Sequence, residues 1–134
     1  MNVELFSLCD AATDTAGKLN ILGAFDSIVV GAFPAVHPQC AIALRIRFLR
    51  VEEGDHAVRI SLIDADGHSV VPDLDASMNV KFGGPESSLA ANLIMNLQRL
   101  QFKKPGEYSI ELTIDGRNER SLPVMIRLRT GKNN

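Results

Sequence analysis

Tryptophan is absent from the 134 residues, tyrosine occurs once and cysteine twice. With only Cys9 and Cys40, a small disulfide-stapled scaffold is excluded, and both thiols are expected to be small buried hydrophobes. Long apolar runs are missing as well. The longest candidate, Ile28 to Pro34, falls far short of the roughly 18 apolar residues of a membrane-spanning helix. Neither charge sign dominates: Lys and Arg number 14, Asp and Glu 16, and the net charge is −2. Nucleic acid and anionic membrane are therefore not expected partners, since both require a basic excess. Met1 to Phe6 has no basic n-region, and Asp10 arrives before an apolar h-region could form. No signal peptide is expected, and the cytoplasm is the expected compartment.

Catalytic signatures are scarce too. There is no Gly-x-Ser-x-Gly, and the cysteines fall at core-facing strand positions where a thiol is inert. Gly83-Gly84-Pro85 is not followed by Gly-Lys-Ser/Thr, and its proline removes an amide that a phosphate cradle would use. His37, His56 and His68 fall in three different loops without the spacing of a zinc site. Neither an enzyme nor a bound cofactor is expected.

What is present is a succession of short strands. A composition of 46% hydrophobic and 22% charged residues is that of an ordinary globular chain, read as one β-sandwich domain over 1–130 with a flexible C-terminal tail at 131–134. Val3 to Cys9 alternates with apolar residues on both sides, as a central or an edge-covered strand would. Asp10 to Gly17 is rich in Ala, Thr, Asp and Gly, with Asp14 to Gly17 reading as the turn that opens the next strand, and Gly23 within that strand signals a bulge or a close backbone approach. Phe33 to Pro38 reads as a proline-bounded connection that ends a ladder. Cys40, Ile42, Leu44, Ile46 and Phe48 then alternate against Arg45 and Arg47. Val58, Ile60 and Leu62 alternate against Arg59, so these two runs are expected to form a hairpin with an odd-length loop after Glu52. Asp64 to Gly67 is a turn, Ala76 to Phe82 a weak strand, and a further strand is expected from about Asn92.

Met95-x-Leu97-x-x-Leu100, then Gly106-x-Tyr108, resembles the E-to-F crossing of immunoglobulin-like domains. That resemblance implies a corner built on Gly106 and Tyr108, with the tyrosine hydroxyl returning to nearby backbone. Lys104 replaces the usual acidic residue and Ile110 the second cysteine, so an apolar pair is implied in place of the inter-sheet disulfide. Asp115 to Arg120 is expected to be a long charged F-to-G loop before a closing strand through Val124, Ile126 and Leu128. The expected fold is all-β: an immunoglobulin-like, two-sheet antiparallel β-sandwich of seven to nine strands with no disulfide.

Over nearly its whole length the chain resembles a bacterial domain-of-unknown-function family of small cytosolic proteins. Asp10-Ala11-Ala12, Gly17 to Gly23, Phe33-Pro34, Leu62 to Gly67 and Pro105 to Tyr108 carry the likeness. These are turn and core residues, so the resemblance implies a sandwich and supplies no activity.

Two surfaces stand out. Asp64, Asp66, His68, Asp73 and Asp75 form the densest polar cluster, and the four aspartates offer oxygen ligands for a hard divalent cation, although Asp-Gly turns form without one and no calcium-loop glutamate follows. Arg45, Arg47, Arg127 and Arg129 are expected on the outer face of a single sheet with Glu111, where guanidinium groups could pair an acidic partner or a small anionic ligand. The expected role is a non-catalytic protein-interaction or structural module, self-association included. The alternative is a small anionic-ligand or divalent-cation binding domain using one of these two surfaces.

Overall fold

The computed structural model describes residues 1–130; the tail reading of 131–134 lies outside the described residues. Among the described residues nine strands follow one another: β1 (Asn2–Thr15), β2 (Lys18–Ala24), β3 (Ser27–Val30), β4 (Ala35–Leu49), β5 (Gly54–Ile63), β6 (Leu74–Val80), β7 (Ser88–Phe102), β8 (Gly106–Ile114) and β9 (Arg117–Leu128), with a 3-10 turn at Arg50–Glu52. They form a four-stranded sheet ordered β2-β1-β4-β7 and a five-stranded sheet ordered β3-β9-β8-β5-β6. Every ladder is antiparallel except β3–β9, which is parallel.

One core lies between the sheets. Leu44, Ile46 and Phe48 of β4 and Leu97 and Phe102 of β7 meet Ile60 of β5, Ile110 and Leu112 of β8 and Ile126 of β9 in it. Each such side chain, once buried, stabilises the fold by roughly 1.5–3 kcal/mol relative to exposure. Cys9 and Cys40 are free and fully buried. Burial pushes the Cys40 thiol up to about 11 and the Cys9 thiol up as well, so both stay protonated and unreactive near neutrality.

Four local expectations are corrected. The turn read at Asp14 to Gly17 is shorter: Asp14 and Thr15 still belong to β1, and only Ala16 and Gly17 turn, both at positive φ. The ladder also continues through Pro38: β4 pairs with β7 from Ala35 onward, while β1 reaches β4 only as far as Ala41. Pro38 therefore sits on a local edge, where its missing N–H costs no ladder bond. Runs β4 and β5 do not form a hairpin; β4 pairs with β1 and β7, and β5 with β6 and β8. The 3-10 turn carries the chain from one sheet to the other, so Phe48 and Val58 share the core without sharing a ladder. Lastly, the supposed long loop is a two-residue Asp115-Gly116 turn with φ of 51° and 83°, the conformation that a type I′ hairpin requires. Arg117 to Arg120 belong to β9, with a bulge opposite Leu112 and Thr113.

Between β7 and β8 the chain changes sheet at the Lys103–Pro105 corner. Gly106 adopts φ of 141°, open to glycine but strained for other residues. Tyr108 is buried, its hydroxyl donates to the Lys104 carbonyl at 2.6 Å, and its ring lies edge-on to Phe102 at 5.1 Å. Ile110 lies fully buried in the core cluster.

Candidate functional site

The four arginines are not neighbours. Arg45 and Arg47 lie on β4 in the four-stranded sheet, whereas Arg127 lies on β9 and Glu111 on β8 in the other. Arg129 follows β9, its amide donating to the Val30 carbonyl at 2.7 Å. Alternation placed each side chain on an outward face, but the two faces belong to opposite sides of the sandwich. Arg127 donates to Ser27 Oγ at 3.3 Å. Glu111 is occupied by its own sheet, accepting from Ser109, Asn118 and Ser121; burial raises its pKa, but those donors hold it below the usual value.

Arg45 and Arg47 are also committed internally. Both pair with Glu4 of β1, at 3.0 and 2.6 Å, and the Arg47 bond holds the Glu4 carboxyl below its ordinary pKa. Arg45 further donates to Asn92 Oδ1 at 3.0 Å, and Arg47 to Ser88 Oγ at 3.1 Å. Above them folds the β1–β2 hairpin. β1 pairs with β4 through Cys9 and with β2 beyond it, and its tip reaches over the sheet: Gly17 O accepts from Arg45 at 3.3 Å, and Asp14 Oδ2 accepts from Asn92 at 3.0 Å. Beneath it, Cys9, Ala41 and Ala43 are wholly buried, with Leu19, Ile21 and Ile94 packed against them. The alanines leave room for this approach. The chain itself thus covers part of this face, over Arg45 more than over Arg47.

The aspartates divide into two groups. Asp64 Oδ1 accepts the amides of Asp66 and His68 at 2.9 Å each, and its carboxyl is held below the usual range by these bonds, that to His68 first. Asp66 lies 3.3 Å from Lys104 Nζ. Asp64, Asp66 and His68 each place a ligand atom within 4.8 Å of the others. Asp73 and Asp75 instead pair with Arg59, at 3.7 and 2.8 Å. Thus the structure keeps Asp64, Asp66 and His68 of the predicted cluster together and sets Asp73 and Asp75 apart.

Two features escaped the sequence reading. A cleft of about 420 Å³ brings together Asp10, Gly23, Phe25, Ser27 and His37. His37 Nε2 is buried there without a hydrogen-bond partner, and among the described residues no hydrogen bond joins any two of Asp10, Ser27 and His37. At Gly23 the close approach is made by a side chain and not by backbone: at φ of 68°, a Cβ there would lie 2.5 Å from Asp10 Oδ2.

The second feature is the outer edge of β7. This strand of 15 residues pairs with β4 and ends its sheet. Among the described residues, none of the backbone hydrogen bonds made by loops and turns ends on residues 88–102. From Ser88 to Gln98 it carries no charged residue, and the apolar side chains Leu89, Ala91, Leu93 and Met95 pack on the core but stay only partly buried. The charge-free run was visible in the sequence; its place at an edge was not.

No helix among the described residues is long and apolar enough to cross a membrane. A family model described as a family of unknown function, DUF6941, matches residues 4–127. No curated protein and no solved structure matches the chain.

Proposed function

The chain belongs to this family of unknown function, and from that premise we propose that it is a non-catalytic protein-interaction module of the bacterial cytoplasm. On this reading the domain is an immunoglobulin-like sandwich that engages protein partners by strand addition along β7. The observation that carries it is the unpaired β7 edge: long, free of charge from Ser88 to Gln98, and backed by apolar side chains that the monomer covers only in part. Sheet edges are ordinarily blunted by charge, proline or shortness, because unpaired backbone groups recruit other strands. An edge left undefended is a surface for β-augmentation, in which main-chain bonds give affinity and alternate side chains give selectivity.

The test is affinity capture from the native cell with the wild-type chain and with Ala90→Lys, which puts a charge on that edge. Proteins retained by the first and released by the second support the reading; identical retention refutes it.

A second reading, divalent-cation binding, draws on the convergence of Asp64, Asp66 and His68. The anionic-ligand form of that alternative has lost its four-arginine face to the sheet topology, and Glu4 already pairs two of the four.

A further inference from the structure

Resting on the proposed role of the β7 edge, we infer that its occupant is a second copy of this chain, paired antiparallel through Ser88–Asn96 about a two-fold axis at Asn92. The two four-stranded sheets then run on as one.

Comparison of the strands that end the two sheets singles out β7. β3 has only four residues. β2 has seven, begins at Lys18 and is distorted at Gly23. β6 also has seven, and its Asp75 is engaged by Arg59 with Lys81 just beyond. β7 is twice as long as either and its first part lacks all such protection. Arg99, with φ of 54°, breaks the extended backbone and sets the C-terminal limit of a straight pairing surface.

The choice of a second copy comes from the order of side chains. In an antiparallel pair about a two-fold axis, each residue faces one equally distant on the other side of the axis, and both lie on the same face of the sheet. Centred on Asn92, Ser88 faces Asn96 and Asn92 faces itself, polar against polar. Leu89 faces Met95, Ala90 faces Ile94 and Ala91 faces Leu93, each apolar and the alanines against larger partners. Centring on residue 91 or 93 sets Asn92 against Ala90 or Ile94. Centring on 94 opposes Ala90 to Gln98 and Leu89 to Arg99. The register at Asn92 keeps like with like over the longest run. Because the run has no charge, two identical edges meet without like-charge repulsion, the usual obstacle to self-pairing. The half-covered inner residues Leu89, Ala91, Leu93 and Met95 gain the neighbours that β7 lacks on its free side. Asn92 is already held by Asp14, Gly17 and Arg45, so the residue on the axis is fixed before association.

Light scattering on the full chain across a concentration series is expected to give twice the 14.6 kDa chain mass, falling to the monomer mass in Ala90→Lys, which sets an ammonium against Ile94 of the partner subunit. As an independent measure, Asn92→Cys is expected to form a covalent dimer on mild oxidation, while the wild type, with both cysteines buried, does not. A chain that stays monomeric at high micromolar concentration overturns the inference, and so does Asn92→Cys that fails to cross-link. If the chain is monomeric yet Ala90→Lys still releases captured proteins, the second copy is refuted and the edge reading stands. A dimer indifferent to Ala90→Lys, whose retained proteins are equally indifferent, refutes both.

Discussion

The Tyr108 hydroxyl donates to the carbonyl oxygen of Lys104, four residues back, at 2.6 Å. This bond ties the first residues of β8 to the corner by which the chain leaves β7, and so joins the two sheets where no disulfide does. Lys104 occupies the position where the resemblance to immunoglobulin-like domains leads one to expect an acid, and the bond does not need one, since the acceptor is main chain. Tyr108→Phe keeps the ring against Phe102 and removes only the hydroxyl, leaving the carbonyl unpaired. Chemical denaturation is expected to show a loss of about 1 kcal/mol, with unchanged slope. An unaltered midpoint would mean that the corner does not depend on this bond.

His56 lies between two acceptors. Nδ1 is 2.6 Å from Asp115 Oδ2, and Nε2 is 2.6 Å from the Glu52 carbonyl. Neither partner can donate, so both ring nitrogens must carry protons for both contacts to be hydrogen bonds. Burial pulls the imidazole pKa down, but the bonds to Asp115 and Glu52 outweigh it and the pKa lies above the ordinary value. A raised folded pKa gives stability that is fully present below the unfolded value, about 6.5, and is lost as pH rises through the folded one. The melting temperature is expected to decline as pH rises from about 6 toward 8, and His56→Gln to remove most of that slope. Asp115 works in the opposite direction: its carboxyl is held below the usual value by His56, so its contribution is lost only as pH falls into the acid range.

Gly23 is expected to resist substitution. Alanine there meets a left-handed φ of 68° and the Asp10 carboxylate at once. The backbone cost alone is about 1–2 kcal/mol, and denaturation of Gly23→Ala should show at least that. Asp10→Ala in the same chain should recover only the contact share, which leaves the backbone cost measurable by itself.

The turn at Asp64 is closed by two backbone amides on one carboxylate oxygen. Melting curves in calcium, in magnesium and in EDTA are expected to coincide, and Asp64→Ala to lower the midpoint in all three. An EDTA-sensitive midpoint would favour the cation-binding reading instead.

Much of the architecture could be read from alternation. Leu44, Ile46 and Phe48 against Arg45 and Arg47 read as a half-buried strand, and β4 is that only toward its end, because Cys40 to Leu44 are buried on both faces, between the core and the β1–β2 hairpin. Alternation reports which face of a strand is covered and says nothing of which strand lies beside it. That is why alternation alone makes a hairpin of β4 and β5, similar in pattern and joined by a short loop, although they face each other across the core. The same limit produced the four-arginine face, correct residue by residue in pointing outward and wrong in its neighbours. Asp115-Gly116 failed differently. The charged residues after it resembled a loop because β9 begins with solvent-facing positions, while the two residues that carry positive φ already held the turn.

By itself the sequence determined the all-β class, the free buried thiols, the corner at Gly106 and Tyr108, and a close approach at Gly23. Each depends on side-chain volume, polarity or backbone freedom within a few residues, and those properties are local. Only the tertiary structure decided that the β1–β2 hairpin closes over Arg45, that the aspartates divide between Lys104 and Arg59, and that the charge-free run of β7 lies at an open edge. Those outcomes depend on strand order, which is set by how nine faces bury one another together and is written in no single segment.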